Sequence, residues 1–374
     1  MKKQTTAIVL GLAVMAAPLG AEMPRPEGLA ALGDVPVPGS NPQTDAKVEL
    51  GKILFFDPIL SGNYNMPCSA CHLPDAGWAI QAPISFGYPG TTHWRNSQTI
   101  VNSGHYKKLF WAGASGSLEH QARSAARGGV AGNGEDDMME SRLAFVPEYR
   151  ERFADVFGDD WPNIRHAYDA IAAFERSINQ TDTPFDLYMN GDDAALSEQQ
   201  VRGLELFAGK ANCISCHNGP LLSDEKYYNT GVPPYSGWED DEIAQITFRF
   251  EIFAKGATEE MYREIKDDPG LYFRTKEKAD KGKFRTPSLR YTKYTYPYMH
   301  NGMIETLADV VDFYNDGGGL NDFADNKSAQ IRPLNLSDGE KADLVAFLES
   351  LSGDEILIDE PDIPDMQPLP AVAN

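Results

Sequence analysis

The apolar positions of the chain fall into helical stripes separated by long polar stretches rich in glycine and proline. Residues 49–56 read as a short amphipathic helix, and residues 202–210 read as a second one of the same kind. Ser197 with Gln200 three positions on forms a capping box that starts the latter. Between them, residues 162–177 place Ile164, Ala167, Tyr168, Ile171 and Phe174 on one stripe. Further on, Thr306 with Asp309 opens a helix whose stripe is Leu307, Val310, Val311 and Tyr314. Ser337 with Glu340 caps a last helix bearing Leu344, Phe347, Leu348 and Leu351 before Gly353. No run alternates as a half-buried strand would, and residues 82–90 and 228–237 read as long loops. The pattern predicts a mainly α fold.

The ends differ from this pattern. Lys2 and Lys3, an apolar run from Ala7 to Ala17 and the small residues before Glu22 read as a secretory signal over 1–21, too short to span a membrane comfortably. The mature chain is therefore expected to be exported into a bacterial periplasm with no membrane span. The proline- and aspartate-rich residues 359–374 read as a flexible acidic tail. Pro184 and the Asn190-Gly191 turn suggest a boundary within 181–193. The expected units are 22–185 and 186–358.

The 374 residues carry 33 Lys+Arg against 55 Asp+Glu, a formal charge of −22, with 42% apolar residues. That is enough to bury a sizeable core and excludes general disorder. The acidity argues against nucleic acid as a partner, because phosphate binders present basic patches.

All four cysteines lie in two identical patterns, Cys68-Ser69-Ala70-Cys71-His72 and Cys213-Ile214-Ser215-Cys216-His217. C-x-x-C-H is the attachment pattern for c-type haem, in which two thiols form thioethers and the adjacent histidine ligates iron. A redox dithiol would call for a thioredoxin-like βαβ context, and an adjacent Cys-His pair strains tetrahedral zinc. With the repeated preceding helix, the chain reads as two cytochrome c-like units in tandem, each with one covalent haem. The sixth iron position of each is open to several residues: His93, His105, His120, His166, His300, Met299, Met303 and Tyr314. Each is also readable as an ordinary surface or core residue.

The chain resembles the bacterial di-haem cytochrome c peroxidases and their relatives MauG and MbnH. The resemblance rests on both C-x-x-C-H motifs, Arg95-Asn96, Phe110-Trp111-Ala112-Gly113 and the segment Ser117 to Gln121. It continues through Arg285 to Arg290, Thr295 to Gly302 and Thr306-Leu307. It implies that the Asn96 side chain and the backbone carbonyls of Thr295 and Pro297 hold calcium between the haems, and that Trp111 is the electron bridge. His72 and His217 would be the proximal ligands. In methionine-ligated members the sixth ligand of the second haem lies fourteen residues after the histidine matching His300; here that position is Tyr314, as in MauG and MbnH. Phenolate favours ferric and higher-valent iron, whereas a thioether raises the potential. The histidine that closes the first haem in other members corresponds to Tyr88, so the His72 haem is expected to be open to peroxide.

Gln121 matches a distal glutamine. The family's distal proline and glutamate fall on Ala125 and Ala131, and the glycine-rich residues 127–134 would move the acid to Glu135. MauG's surface tryptophan, two residues before its second motif, corresponds to Ala211. By resemblance the chain would use hydrogen peroxide to oxidise an aromatic residue, tryptophan foremost, of a partner protein through a coupled high-valent di-haem state. The alternatives are a peroxidase that detoxifies peroxide with electrons from a small cytochrome or cupredoxin, and a pure electron carrier.

Overall fold

A computed structural model describes residues 23–88 and 90–365; the expected signal and the end of the expected tail lie outside the described residues. The structure is mainly helical. Its helices are α1 (Asp45–Phe56), α2 (Leu118–Arg127), α3 (Asp136–Phe145), α4 (Pro147–Phe157), α5 (Ile164–Ser177) and α6 (Pro184–Met189), then α7 (Glu198–Ala208), α8 (Glu242–Ala254), α9 (Glu259–Glu264), α10 (Tyr272–Thr275), α11 (Leu307–Asn315) and α12 (Asp338–Ser350). Two antiparallel pairs of two-residue strands complete it. In one, β1 (Phe86–Gly87) pairs with β2 (Thr91–Thr92); in the other, β3 (Tyr227–Tyr228) pairs with β4 (Phe284–Arg285).

The helix starts follow local chemistry. Ser197 and Ser337 form reciprocal capping boxes with Gln200 and Glu340, and Thr306 accepts from Asp309 N at 3.1 Å. The helix over 162–177 begins only at Ile164, because Asn163 takes the cap by accepting from Arg165 N.

Two helix pairs organise two cores. α1 crosses α5 around Leu50, Leu54, Phe55, Ile171 and Phe174; α7 crosses α12 around Leu204, Phe207, Leu344 and Phe347. Each crossing turns on a glycine. A Cβ on Gly51 would stand 1.9 Å from Ala170 O, and one on Gly203 would stand 2.0 Å from Asp343 O. The backbones approach too closely there for any side chain. The chain ends cross over: Met23 and Leu29 pack in the second core, and Ile356, Ile358 and Ile363 pack on the first. A fully buried ion pair, Arg290 with both oxygens of Asp186 at 2.8 Å, fastens α6 to the segment after β4.

The crossing predicts opposite signs for two glycine substitutions. Gly203→Ala should destabilise by about 1–3 kcal/mol through overpacking. Gly339→Ala, in α12 with nothing within 4 Å of its Cβ position, should stabilise by up to about 1 kcal/mol through helix propensity. Chemical denaturation of the two variants checks this, and equal shifts would contradict it.

Candidate di-haem active site

Each C-x-x-C-H motif folds as a tight turn. Cys71 N and His72 N both donate to Cys68 O, at 3.2 and 3.1 Å, and Cys216 N and His217 N donate to Cys213 O at 3.2 and 2.9 Å. The turn gathers two thiols and one imidazole over a single helical turn. His72 Nδ1 lies 3.2 Å from Trp78 O, and His217 Nδ1 lies 3.0 Å from Leu222 O. A carbonyl partner fixes Nδ1 as the protonated nitrogen and leaves Nε2 as the lone-pair donor, the arrangement an iron ligand needs. Burial lowers both imidazoles below their ordinary pKa and keeps them neutral. None of the four cysteines is in a disulfide, which leaves all four sulfurs for thioether bonds to haem. Donor type, tautomer and spacing fit covalent haem in both motifs.

Tyr314, on α11, is brought to the second motif. Its hydroxyl is in contact with Thr230, and burial, with the Cys213 and Cys216 thiols, raises its pKa above the ordinary tyrosine value. Thr230 carried no signal in the sequence, since a loop threonine has no motif of its own. The five remaining histidines have other partners. His93 stacks on Trp94 at 3.9 Å and accepts from Arg95 N; His105 pairs with Asn179; His120 with Ser115; His166 with Asp159; and His300 stacks on Phe284 at 3.7 Å.

Ser117 caps α2 by accepting from His120 N, and Gln121 on that helix has its Oε1 buried without a protein partner. Tyr88 sits in the β1–β2 turn, where its backbone N donates to Ala131 O. Glu135 stands elsewhere: its side chain is 76% exposed at the start of α3, 3.4 Å from Arg127. A buried acid missing from the sequence reading is Glu175. Its Oε2 has no partner, and burial chiefly raises it to about 8; the Cys68 thiol lies close enough to feel its charge. On a helix stripe it reads as one more polar position.

Trp111 is held between Asn96 and β4. Its Nε1 donates to Asn96 O at 2.8 Å, its own carbonyl accepts from Arg285 N at 2.9 Å, and its ring meets His300 edge-on at 6.3 Å. Asn96 N donates to His300 O at 2.8 Å, which brings Asn96 beside the segment bearing Thr295 and Pro297. The Asn96 Nδ2 group donates to Ala82 O at 2.8 Å, leaving Oδ1 as its free acceptor. Side-chain amide and backbone carbonyl oxygens are a donor set suited to calcium.

A family model described as di-haem cytochrome c peroxidase matches residues 45–194. The chain is 54% identical over 347 residues to a protein named cytochrome-c peroxidase IdrP1 from Pseudomonas sp. (strain SCT), covering 92% of this chain and 91% of that one. It is 32% identical to the methylamine utilization protein MauG of Methylorubrum extorquens, covering 93% and 88%. The chain belongs to the di-haem cytochrome c peroxidase family. Among solved structures, this di-haem peroxidase superposes on a MauG-like protein associated with microbial copper homeostasis with a TM-score of 0.73 at 30% identity, covering 90% of this chain and 97% of that one. As a family member it is an oxidoreductase that carries two c-type haems and acts on hydrogen peroxide. No helix among the described residues is long and apolar enough to cross a membrane.

Glu175 gives the di-haem peroxidase a pH signature. The folded state keeps its proton between the ordinary value of 4.5 and about 8, whereas the unfolded state releases it. Its contribution to stability therefore falls as pH rises through that interval. Glu175→Gln should gain on the wild type steadily from about pH 5 to about pH 8 and hold a constant gap above. Denaturation at a series of pH values checks it; a gap independent of pH would contradict the burial of an ionisable group.

Proposed function

We propose that this di-haem peroxidase reduces hydrogen peroxide without prior reduction of the enzyme, with His217 and Tyr314 as the residues that would hold the iron of the second haem and His72 as the one that would hold the first, which would take peroxide. The placement of Tyr314 against the second C-x-x-C-H motif carries this reading. Phenolate stabilises ferric iron, so the second haem is a poor electron store and a good site for an oxidising equivalent. Bound there, the haems would supply peroxide cleavage and hold the oxidising equivalents.

The chain's own residues would do the rest. Trp78 O and Leu222 O hold the two imidazoles. Gln121, whose amide oxygen is buried without a partner, would orient peroxide at the first haem by hydrogen bonding. Glu135, exposed beside Arg127, leaves Gln121 as the polar group on which the reading relies. Trp111 couples the two haems, and calcium on Asn96, Thr295 and Pro297 locks the junction. In this scheme residues 22–185 and 186–358 are the two haem units, and residues 1–21 direct export to the periplasm.

Two sinks for the oxidising equivalents follow from different observations. The 54% identity to a protein named cytochrome-c peroxidase favours peroxide removal with electrons from a small redox protein. Ala211, buried where MauG carries its surface tryptophan, points the same way. Tyr314 favours the MauG-like alternative, oxidation of an aromatic side chain, tryptophan foremost, on a partner protein. Incubating diferric enzyme with peroxide and each candidate separates them. Rapid oxidation of a reduced small cytochrome without prior reduction of the enzyme establishes the first; oxygen addition to a partner protein, read by mass, establishes the second.

Two outcomes test the common core. Tyr314→Met should raise the potential of the second haem and make turnover depend on prior one-electron reduction, as redox titration and steady-state assay would show. Calcium chelation should perturb both haem spectra together and abolish turnover, because its ligands come from both units; full activity in metal-free enzyme would overturn the calcium assignment.

A further inference from the structure

Beside the junction lies a small chamber that the peroxide reading does not use. Its walls include Trp94, Ala244, Asp267, Asp268, His300 and Asn301, and it offers about 20 Å³ of room for water centres. Three of these residues bring buried polar atoms with no hydrogen-bond partner: Trp94 Nε1, His300 Nε2 and Asn301 Oδ1. His300 and Asn301 are themselves 4% and 3% exposed. Buried polar atoms rarely go unsatisfied, and each one left so costs free energy. Three around one chamber point to an occupant.

The donor set selects it. Trp94 Nε1 can only donate. Asn301 Nδ2 already donates to Pro233 O at 2.8 Å, which leaves its Oδ1 as an acceptor. His300 Nε2 can do either, according to tautomer. A cation would meet the Trp94 N–H and Lys266, whose ammonium already pairs with Glu239, and an anion would meet Asn301 Oδ1 and two carboxylates. Those carboxylates have partners of their own: Asp268 binds Arg95 at 2.5 and 2.9 Å, and Asp267 accepts from the backbone N of Asp268 and of Asp322. A molecule that accepts once and donates twice, and that fits the space, is water; the volume exceeds the ~10–15 Å³ one water needs and leaves little for anything larger.

We propose that this chamber is the site of one buried water that binds Trp94 Nε1, Asn301 Oδ1 and His300 Nε2 and thereby fixes the His300 ring against Trp111. His300 is then a positioning residue. Its other contacts are weak in direction: a stack on Phe284 and the 6.3 Å edge contact with Trp111. The stack sets the plane of the ring, and the water would select between the two flips that this plane allows. The positioning role rests on the reading of Trp111 as the bridge, but the water site does not.

The test uses the haem-loaded enzyme and Ala244→Val. Ala244 is fully buried on the chamber wall, and valine would fill the space. Filling a dry apolar cavity stabilises, whereas expelling a water that satisfies three polar atoms destabilises. The wild-type crystal structure should show one water peak within hydrogen-bond distance of all three atoms. Ala244→Val should lose that peak, melt a few degrees lower, and transfer electrons between the haems more slowly by flash photolysis. A dry chamber, density continuous with a haem edge, or a higher melting temperature in Ala244→Val would overturn the site. Unchanged transfer in a variant shown to lack the water would overturn the positioning role. Trp111→Phe, run in parallel, reports separately whether the bridge itself is correctly assigned.

Discussion

The two units are useful to each other only if their redox centres are held at a fixed separation, and that constraint falls on a few hydrogen bonds around Asn96. Its backbone N donates to His300 O, and its carbonyl takes the Trp111 indole; Trp111 O takes Arg285 N. Asn96 thus joins the His300 segment directly and the Arg285 segment through Trp111. The flanking Arg95–Asp268 ion pair is largely buried, so losing either partner would strand a charge in a low-dielectric site. The helix pairs need only deliver the two motifs to this junction; their close crossings at Gly51 and Gly203 keep each unit stiff enough to do so.

Chemical asymmetry is then imposed on two nearly identical haem turns. Both imidazoles are neutral and aimed by a backbone carbonyl, so the proximal sides do not distinguish the centres. The difference lies opposite. α11 brings Tyr314 to the second motif, and under the proposed function Gln121 of α2, whose oxygen has no protein partner, serves the first. Without metal, burial keeps the Tyr314 phenol protonated; a ferric iron would offset that penalty by binding the phenolate. Under the proposed ligation, ligand choice and redox role become one property of α11.

Much of this was legible in the sequence because it rests on local rules. The capping boxes at Ser197 and Ser337, the α5 stripe and the two C-x-x-C-H motifs are each complete within a few residues. The phase of α11 and its count from His300 singled out Tyr314, and the α11 packing brings it to the second motif. What escaped depends on distant partners. In α8, Ile243, Ile246, Phe250 and Phe253 recur at i, i+3, i+7 and i+10, yet that stripe is exposed and the helix buries its other face at Ala244, Phe248 and Ile252. Gly51 and Gly203 looked like ordinary helix glycines until the crossing backbones were seen. Glu135 was placed in the distal pocket by counting through a glycine-rich loop, and at that point spacing carries no geometry; the side chain faces solvent beside Arg127.

The most direct test of a tyrosine-ligated, coupled pair is electron paramagnetic resonance of the diferric enzyme before and after one equivalent of hydrogen peroxide. One high-spin and one low-spin ferric signal at rest, both lost together on adding peroxide, is the predicted result, with the low-spin signal altered in Tyr314→Phe. Loss of the high-spin signal alone, with the low-spin signal intact and indifferent to Tyr314→Phe, would show that the second haem is a separate electron carrier and that Tyr314 only packs the core.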